Sequence, residues 1–171
     1  MAPSAKLRRE RELIVREHMD SENRHEYDAT IETFHHARYE LFGTGDVFDG
    51  EEEVRSYFEQ TRTAFPDQRN ELLALHHADD AVLVEAVVRG THTGPLRSLP
   101  PTGRPFELPI LAVFVFEGER LVCERVYFDS STVLRQLGVA RDPLSLAGRL
   151  GIAVSHPWTI GRGLVRRATG R

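Results

Sequence analysis

The sequence predicts an α+β fold: a curved antiparallel sheet with helices packed on one face. Three observations carry that prediction. Apolar residues recur at helical spacing up to about residue 64. From about residue 69 the runs become β-branched and aromatic, with extended character. Two tight polar reversals, "HADD" and "EGER", join successive extended runs. Helices first and a sheet second is the α+β order.

Residues 5–19 read as a charged amphipathic helix, with Leu7, Ile14 and His18 on the inner stripe and Leu13 and Val15 beside it. Arg8, Glu12 and Arg16 form i,i+4 pairs outside. A second short helix is expected at 25–34, where Tyr27, Ile31 and Phe34 share a face. "RYELFG" reads as a short strand ending in the turn "GTGD". Asp49 is the expected cap of a third helix, whose "EEE" first turn suits the positive end of the macrodipole. Val54, Tyr57, Phe58 and Thr61 form its buried side, and "FPD" stops it. Four strands follow at 69–77, 81–92, 106–117 and 120–129, as an antiparallel meander. "SSTVLRQLG" closes the domain as a short helix with Gly138 at C′. Two small helices are expected beyond it, one started by Asp142-Pro143 and the other between Ser155 and Pro157. The chain thus divides into 1–138, the α+β domain, and 139–171, a basic helical extension.

At 171 residues and 40% hydrophobic, one sizeable core is expected. The single cysteine, Cys123, excludes an internal disulfide framework and suits a reducing cytoplasm. The N-terminus has basic residues but no apolar stretch of the secretory type, and no run approaches the roughly 18 apolar residues of a membrane span. A cytoplasmic location follows as the expectation. Net charge is −4, made of +5 over residues 139–171 and −9 over the rest. An acidic body argues against nucleic acid as a partner. The basic tail, with Leu144, Leu150, Ile152, Trp158, Ile160 and Leu164, fits a cover over the body, a partner subunit or an anionic surface.

"DGEEEVRSYFEQTRTAFPD", "VVRGTHTGPLRSLPPTGRPFELP" and "FEGERLVCERVYFDSSTVLRQLG" together resemble the SnoaL-like polyketide cyclases of the nuclear-transport-factor-like superfamily. The resemblance spans roughly residues 10–138. It implies a cone-shaped α+β barrel with the N-terminal helices on the concave face of its sheet, and a deep apolar pocket. It also implies acid/base chemistry without cofactor or metal, and a homodimer. In such a cone the loop at 90–105, with three glycines and four prolines, lies near one end of the sheet. His92 is its one titratable residue, open to a catalytic or a structural role.

Asp129 also reads in two ways. Spacing alone makes it the N-cap of the helix "SSTVL", whereas the resemblance implies that an aspartate at this place is the acid/base. Strand alternation groups Asp129, Tyr127, Arg125 and Cys123 on one face. If "EGER" pairs Phe116 with Leu121, Asp129 faces Leu108, Tyr127 faces Ile110, and Ala112 and Phe114 complete the surface. A carboxyl so placed loses solvation, and its pKa rises toward the range useful for general acid/base work. Arg125, some 13 Å along the strand, opposes this weakly. Tyr127 would orient a substrate carbonyl or serve as a core tyrosine. His25, Asp28, His35 and Tyr39 are candidates for the pocket mouth. Two departures from the family pattern stand out: the strand "ILAVFVF" lacks the histidine that supports the aspartate in described cyclases, and Arg125 replaces a tryptophan common in relatives. The pairs His35-His36 and His76-His77 would point to opposite faces of a strand, so no metal site is expected, and Cys123 is expected to be buried and inert. The expected activity is cyclisation of the intramolecular aldol type, isomerisation or dehydration of a small apolar or aromatic carbonyl substrate. A non-catalytic ligand- or partner-binding member of the fold, or a hydrolase in which Asp129 activates water, is the alternative.

Overall fold

The computed structural model describes residues 3–169; Met1, Ala2, Gly170 and Arg171 lie outside the described residues. The elements are α1 (Ala5–Arg24), α2 (Tyr27–Glu32), β1 (Arg38–Leu41), β2 (Asp46–Asp49), α3 (Glu51–Ala64), β3 (Arg69–His77), β4 (Ala81–Thr91), β5 (Pro105–Glu117), β6 (Arg120–Tyr127), α4 (Ser130–Gln136), α5 (Leu146–Ser155) and α6 (Pro157–Thr169). One six-stranded sheet runs in the order β2-β1-β6-β5-β4-β3. Its pairs are antiparallel, as the meander predicts, except that β1 joins β6 in parallel. The strand β2 was not expected: "DVFD" is four residues long and half exposed, too short for a period to show.

Ser4 caps α1 by accepting the Leu7 amide hydrogen, and His25 ends it in the left-handed region at φ 62. The buried stripe is Arg11, Val15, His18, Met19 and Glu22. It is therefore more polar than Leu7, Ile14 and His18 suggest, and Leu13 stays exposed. In α3 the cap is Gly50, not Asp49. Asp49 ends β2, and its amide donates to the Glu53 carboxylate. Val54, Phe58 and Arg62, at i, i+4 and i+8, form the buried face of α3, so this stripe also ends on a charge.

The core fills the concave side of the sheet. Val15, Met19, Val54 and Phe58 from the helices pack with Val84, Phe114 and Leu121 from the strands. Each such side chain contributes about 1.5–3 kcal/mol by leaving water. Two bulges, between Leu72 and Ala74 and between Val115 and Phe116, add twist and help curl the sheet. A smaller cluster of Ala64, Phe65, Phe106, Leu108 and Leu137 seats α4.

The long β4–β5 loop closes the C-terminus of α3. The amides of Thr93 and Gly94 both donate to the Ala64 carbonyl, at 3.1 and 3.2 Å. A Cβ on Gly94 would lie 1.8 Å from the Thr63 carbonyl oxygen, so only glycine permits this approach.

In the extension, Ser145 caps α5 instead of Asp142, which accepts the Leu144 amide hydrogen one turn earlier. Of the three roles expected for the extension, a cover over the body is not what its described residues form. α5 and α6 pack on each other, while Leu144, Leu146, Leu150, Val154, Trp158, Leu164 and Val165 remain 62–86% exposed.

Candidate active site

The strand β6 stops at Tyr127, so Asp129 never enters the sheet. It caps α4: Oδ1 accepts from the Ser131 amide (2.9 Å) and hydroxyl (2.7 Å), and Oδ2 from the Thr132 hydroxyl (2.8 Å). The hydroxyls of Ser131 and Thr132, aided by Arg135, hold its carboxyl down at about 2. Exposure and hydrogen bonding thus reverse the expected upward shift.

A single bulge decides which β6 side chains face inward. Phe116 pairs with Leu121 as expected, but Val115 pairs with Cys123, skipping one residue. From there Phe114 lies opposite Glu124, Ala112 opposite Val126, and Leu111 opposite Tyr127. A one-residue slip exchanges the two faces of a strand. Phe114, Ala112, Ile110 and Leu108 keep their expected concave-side positions. Arg125 and Tyr127 do not join them. The Arg125 guanidinium donates to Glu40 at 3.0 Å, and Tyr127 stacks on Phe42 with ring centroids 4.2 Å apart. Cys123 is buried and free, and burial pushes its thiol up to about 11.

His92 is fully buried where the loop leaves β4, beside the Phe65 ring. Its Nδ1 accepts the Thr102 amide hydrogen at 3.2 Å, which assigns the ring proton to Nε2. Nε2 itself has no partner. With its backbone bonded to Gly103 and Arg104, the residue pins the loop closed.

Tyr39 is a core residue and not part of a mouth, and it leads to the polar centre of the cone. Its hydroxyl lies 2.6 Å from His18 Nε2. His18 Nδ1 lies 2.7 Å from the Thr33 hydroxyl, which donates its only proton to the Thr30 carbonyl at 2.6 Å. The Thr33 oxygen must therefore accept from His18, and Nδ1 carries a proton. In the neutral ring Nε2 is then an acceptor, served by the Tyr39 hydroxyl. Glu124 Oε2 nevertheless sits 3.1 Å from Nε2, and no donor reaches it in hydrogen-bonding geometry. The carboxylate oxygen and the ring nitrogen thus face each other directly, with the Tyr39 hydroxyl beside them. The Phe34 and Phe114 rings wall the imidazole edge-on at 5.1 and 5.3 Å.

A second buried carboxyl adjoins this centre. Glu22 accepts from the Asn70 side chain at 2.6 Å and lies 3.8 Å from the Arg62 guanidinium. Burial, then the charge of Glu124, raises its pKa, while His18, Arg62 and Asn70 draw it down. Burial and the charges of Glu124 and Glu22 also lift the hydroxyl of Tyr39 well above the ordinary tyrosine range, and that of Tyr57 likewise. Both remain proton donors at any physiological pH. Arg62 Nε and Asn70 Oδ1 are buried and unpartnered as well. Two carboxyls, an imidazole and two tyrosine hydroxyls are thus gathered in apolar surroundings, the kinds of group that general acid/base chemistry uses.

Sequence reasoning passed over Glu22, Arg62 and Glu124. It placed His18 on the inner stripe of α1 without drawing chemistry from it. The available signal was the charged residues sharing that stripe: Arg11, His18 and Glu22 recur at the spacing of the buried face. Among the described residues no group of three or more His, Cys, Asp or Glu could hold a metal ion.

A family model described as SnoaL-like polyketide cyclase matches residues 12–137. Among solved structures, IdmH, a candidate polyketide cyclase from Streptomyces antibioticus, is 28% identical, with 75% of this chain and 99% of that one covered at a TM-score of 0.64. A candidate SnoaL-like polyketide cyclase from Jannaschia sp. CCS1 shares the fold at a TM-score of 0.72 with 18% identity, covering 83% of this chain and 100% of that one. AclR, a candidate hydroxylase from Streptomyces galilaeus, does so at 0.67 with 20% identity and coverages of 78% and 87%. No curated protein matches the chain.

Proposed function

The chain belongs to the SnoaL-like polyketide cyclase family, and from that premise we propose that it is a cofactor-free acid/base enzyme for a small polyketide-like carbonyl substrate. Its reaction is ring closure of the aldol type, isomerisation or dehydration, all of which begin with loss of a proton alpha to a carbonyl. The single observation supporting this most strongly is the undonated Glu124 Oε2, 3.1 Å from His18 Nε2 in an apolar shell. Glu124 takes the alpha proton. The Tyr39 hydroxyl, released from His18 Nε2 as that nitrogen takes a share of the proton on Glu124, donates to the developing enolate oxygen, an arrangement effective where water is excluded. His18, fixed by Thr33, shares the proton and returns it. The half-buried Tyr27, Phe48, Tyr57, Leu75 and Ile110 that pack against the core offer the apolar approach for such a substrate.

Asp129, the aspartate to which the family resemblance assigns the acid/base role, serves in this reading as the cap that seats α4. The test compares Glu124→Gln, Tyr39→Phe and Asp129→Asn on a panel of linear poly-β-carbonyl esters. Binding of a fluorescent naphthol, as an enolate mimic, is measured in parallel. Glu124→Gln should lower turnover by roughly 10²–10⁴, and Asp129→Asn should leave it near the parent value. The reverse pattern transfers the chemistry to the capping carboxylate and overturns the assignment.

A further inference from the structure

The extension beyond the family match carries an uncovered apolar surface with a distinctive charge pattern. On α5, Leu146, Leu150 and Val154 recur every four residues and are all exposed. On α6 the apolar side is formed by Trp158, Ile160, Leu164 and Val165, while Arg162, Arg166 and Arg167 occupy the remaining arc and reach both of its borders. Ile160 is partly covered, whereas Trp158, Leu164 and Val165 lie open. Residues 143–171 contain five arginines and no aspartate or glutamate.

We propose that α5 and α6 lie flat on an anionic lipid surface, with these apolar stripes in the acyl boundary and the arginines at the phosphates. Three features favour lipid over a second copy of the chain. The element seeking cover is apolar, so the acidic body of another copy satisfies its charges but not Leu146, Leu150 or Trp158. Among the described residues of the body, the exposed large apolar side chains are scattered, such as Leu13 on α1, Val47 on β2 and Leu73 on β3; the stacked pair Phe42 and Tyr127 is small, and none of these forms a strip two helices long. Arginines bordering an apolar face, with a tryptophan at its margin, match the layered polarity of a bilayer interface. No helix among the described residues is long and apolar enough to cross a membrane, so the attachment is peripheral. The proposal is independent of the reaction proposed above.

Trp158 is the only tryptophan in the chain and reports on α6 directly. Full-length protein is titrated with phosphatidylcholine vesicles and with 3:1 phosphatidylcholine–phosphatidylglycerol vesicles, at low and high salt. Tryptophan emission and vesicle flotation are read together, with sedimentation velocity in the absence of lipid. The expected result is a blue shift and co-flotation on the anionic vesicles, weakened by salt and nearly absent on phosphatidylcholine alone. Each arginine near the surface contributes about fivefold in partitioning. The triple variant Arg162→Glu, Arg166→Glu, Arg167→Glu should therefore lose roughly two orders of magnitude or more while keeping the parent circular dichroism. Leu150→Asp with Leu164→Asp should abolish the blue shift. Partitioning that ignores lipid charge overturns the proposal, as does failure to bind either vesicle. A Trp158 emission already blue-shifted in a lipid-free dimer also overturns it, and assigns the surface to a second copy.

Discussion

Replacing Glu124 with glutamine should leave the protein as stable as before or stabilise it, although the residue is buried. Glu124 Oε2 receives no hydrogen bond and faces a ring nitrogen at 3.1 Å. An amide at the same position carries no charge, and its N–H group is a donor where the carboxylate offers acceptors alone. Relieving one undonated buried acceptor is worth about 1–3 kcal/mol, which for a chain of this length corresponds to about 2–12 °C in Tm. The gain should depend on pH in a definite direction. Burial and the Glu124 charge raise the Glu22 pKa in the fold. A raised carboxyl contributes stability that is fully present below its ordinary value of 4.5 and drains away as pH rises through the folded value. Removing the Glu124 charge lowers the Glu22 pKa toward 4.5 and narrows that loss. The Tm difference between variant and parent should therefore be larger at pH 7.5 than at pH 4.5, measured by calorimetry at both. A destabilisation of several kcal/mol at pH 7.5 would mean that His18 and Glu124 form a fully charged, well-bonded pair, and would refute the reasoning. So would a gain that is equal at the two pH values.

Asp129→Ala should lower Tm while Asp129→Asn does not, since asparagine caps helices as well as aspartate. Because its carboxyl is held at about 2 against an ordinary 3.8, the charge-dependent part of the cap should be fully present above pH 3.8 and drain away as pH falls from there through about 2. Gly94→Ala should cost at least about 2 kcal/mol in urea denaturation, because its Cβ meets the Thr63 carbonyl at 1.8 Å and the loop must leave the end of α3; an unchanged midpoint would show that the loop shifts freely. Phe114→Ala should cost about 3–5 kcal/mol by opening a cavity against the His18 ring. The Cys123 thiol, buried and pushed up to about 11, should react with a disulfide reagent only as fast as the protein opens; rapid labelling of the native state contradicts its placement.

The large features of the fold were legible because each leaves a period in the sequence. Helical and extended spacing located α1, α3 and the strands β3 to β6 to within a few residues. The candidate site was not legible, and the reason is one residue. Counting back from "EGER" with a regular hairpin puts Arg125, Tyr127 and Asp129 beside Phe114. The bulge between Val115 and Phe116 puts Glu124 and Val126 there instead. Neither residue signals a bulge, which arises from how β5 and β6 settle around the core. His18 escaped notice for a different reason. A histidine in an apolar stripe gains its chemistry from partners on β1 and β6, 21 and 106 positions along the chain, and nothing in local spacing announces them. Asp129 shows the converse: its cap role follows from the four residues after it and needs no tertiary information.

The parallel pairing of β1 with β6 also has a kinetic consequence. Tyr39 and Glu124 are neighbours in that pairing, and His18 reaches both from α1. The polar centre is thus assembled from the first helix, the first strand and the last strand of the sheet. During synthesis the helices and β1 emerge long before their partner exists, and the β3–β6 hairpins can form without them. Sequence-distant contacts are slow to close because the intervening chain loses its freedom before the contact rewards it. Until β6 docks, the charged stripes of α1 and α3 lack the surface that buries them. Completion of the sheet is therefore the step at which three unfavourably buried side chains become a single unit, and acquisition of activity should lag behind formation of secondary structure.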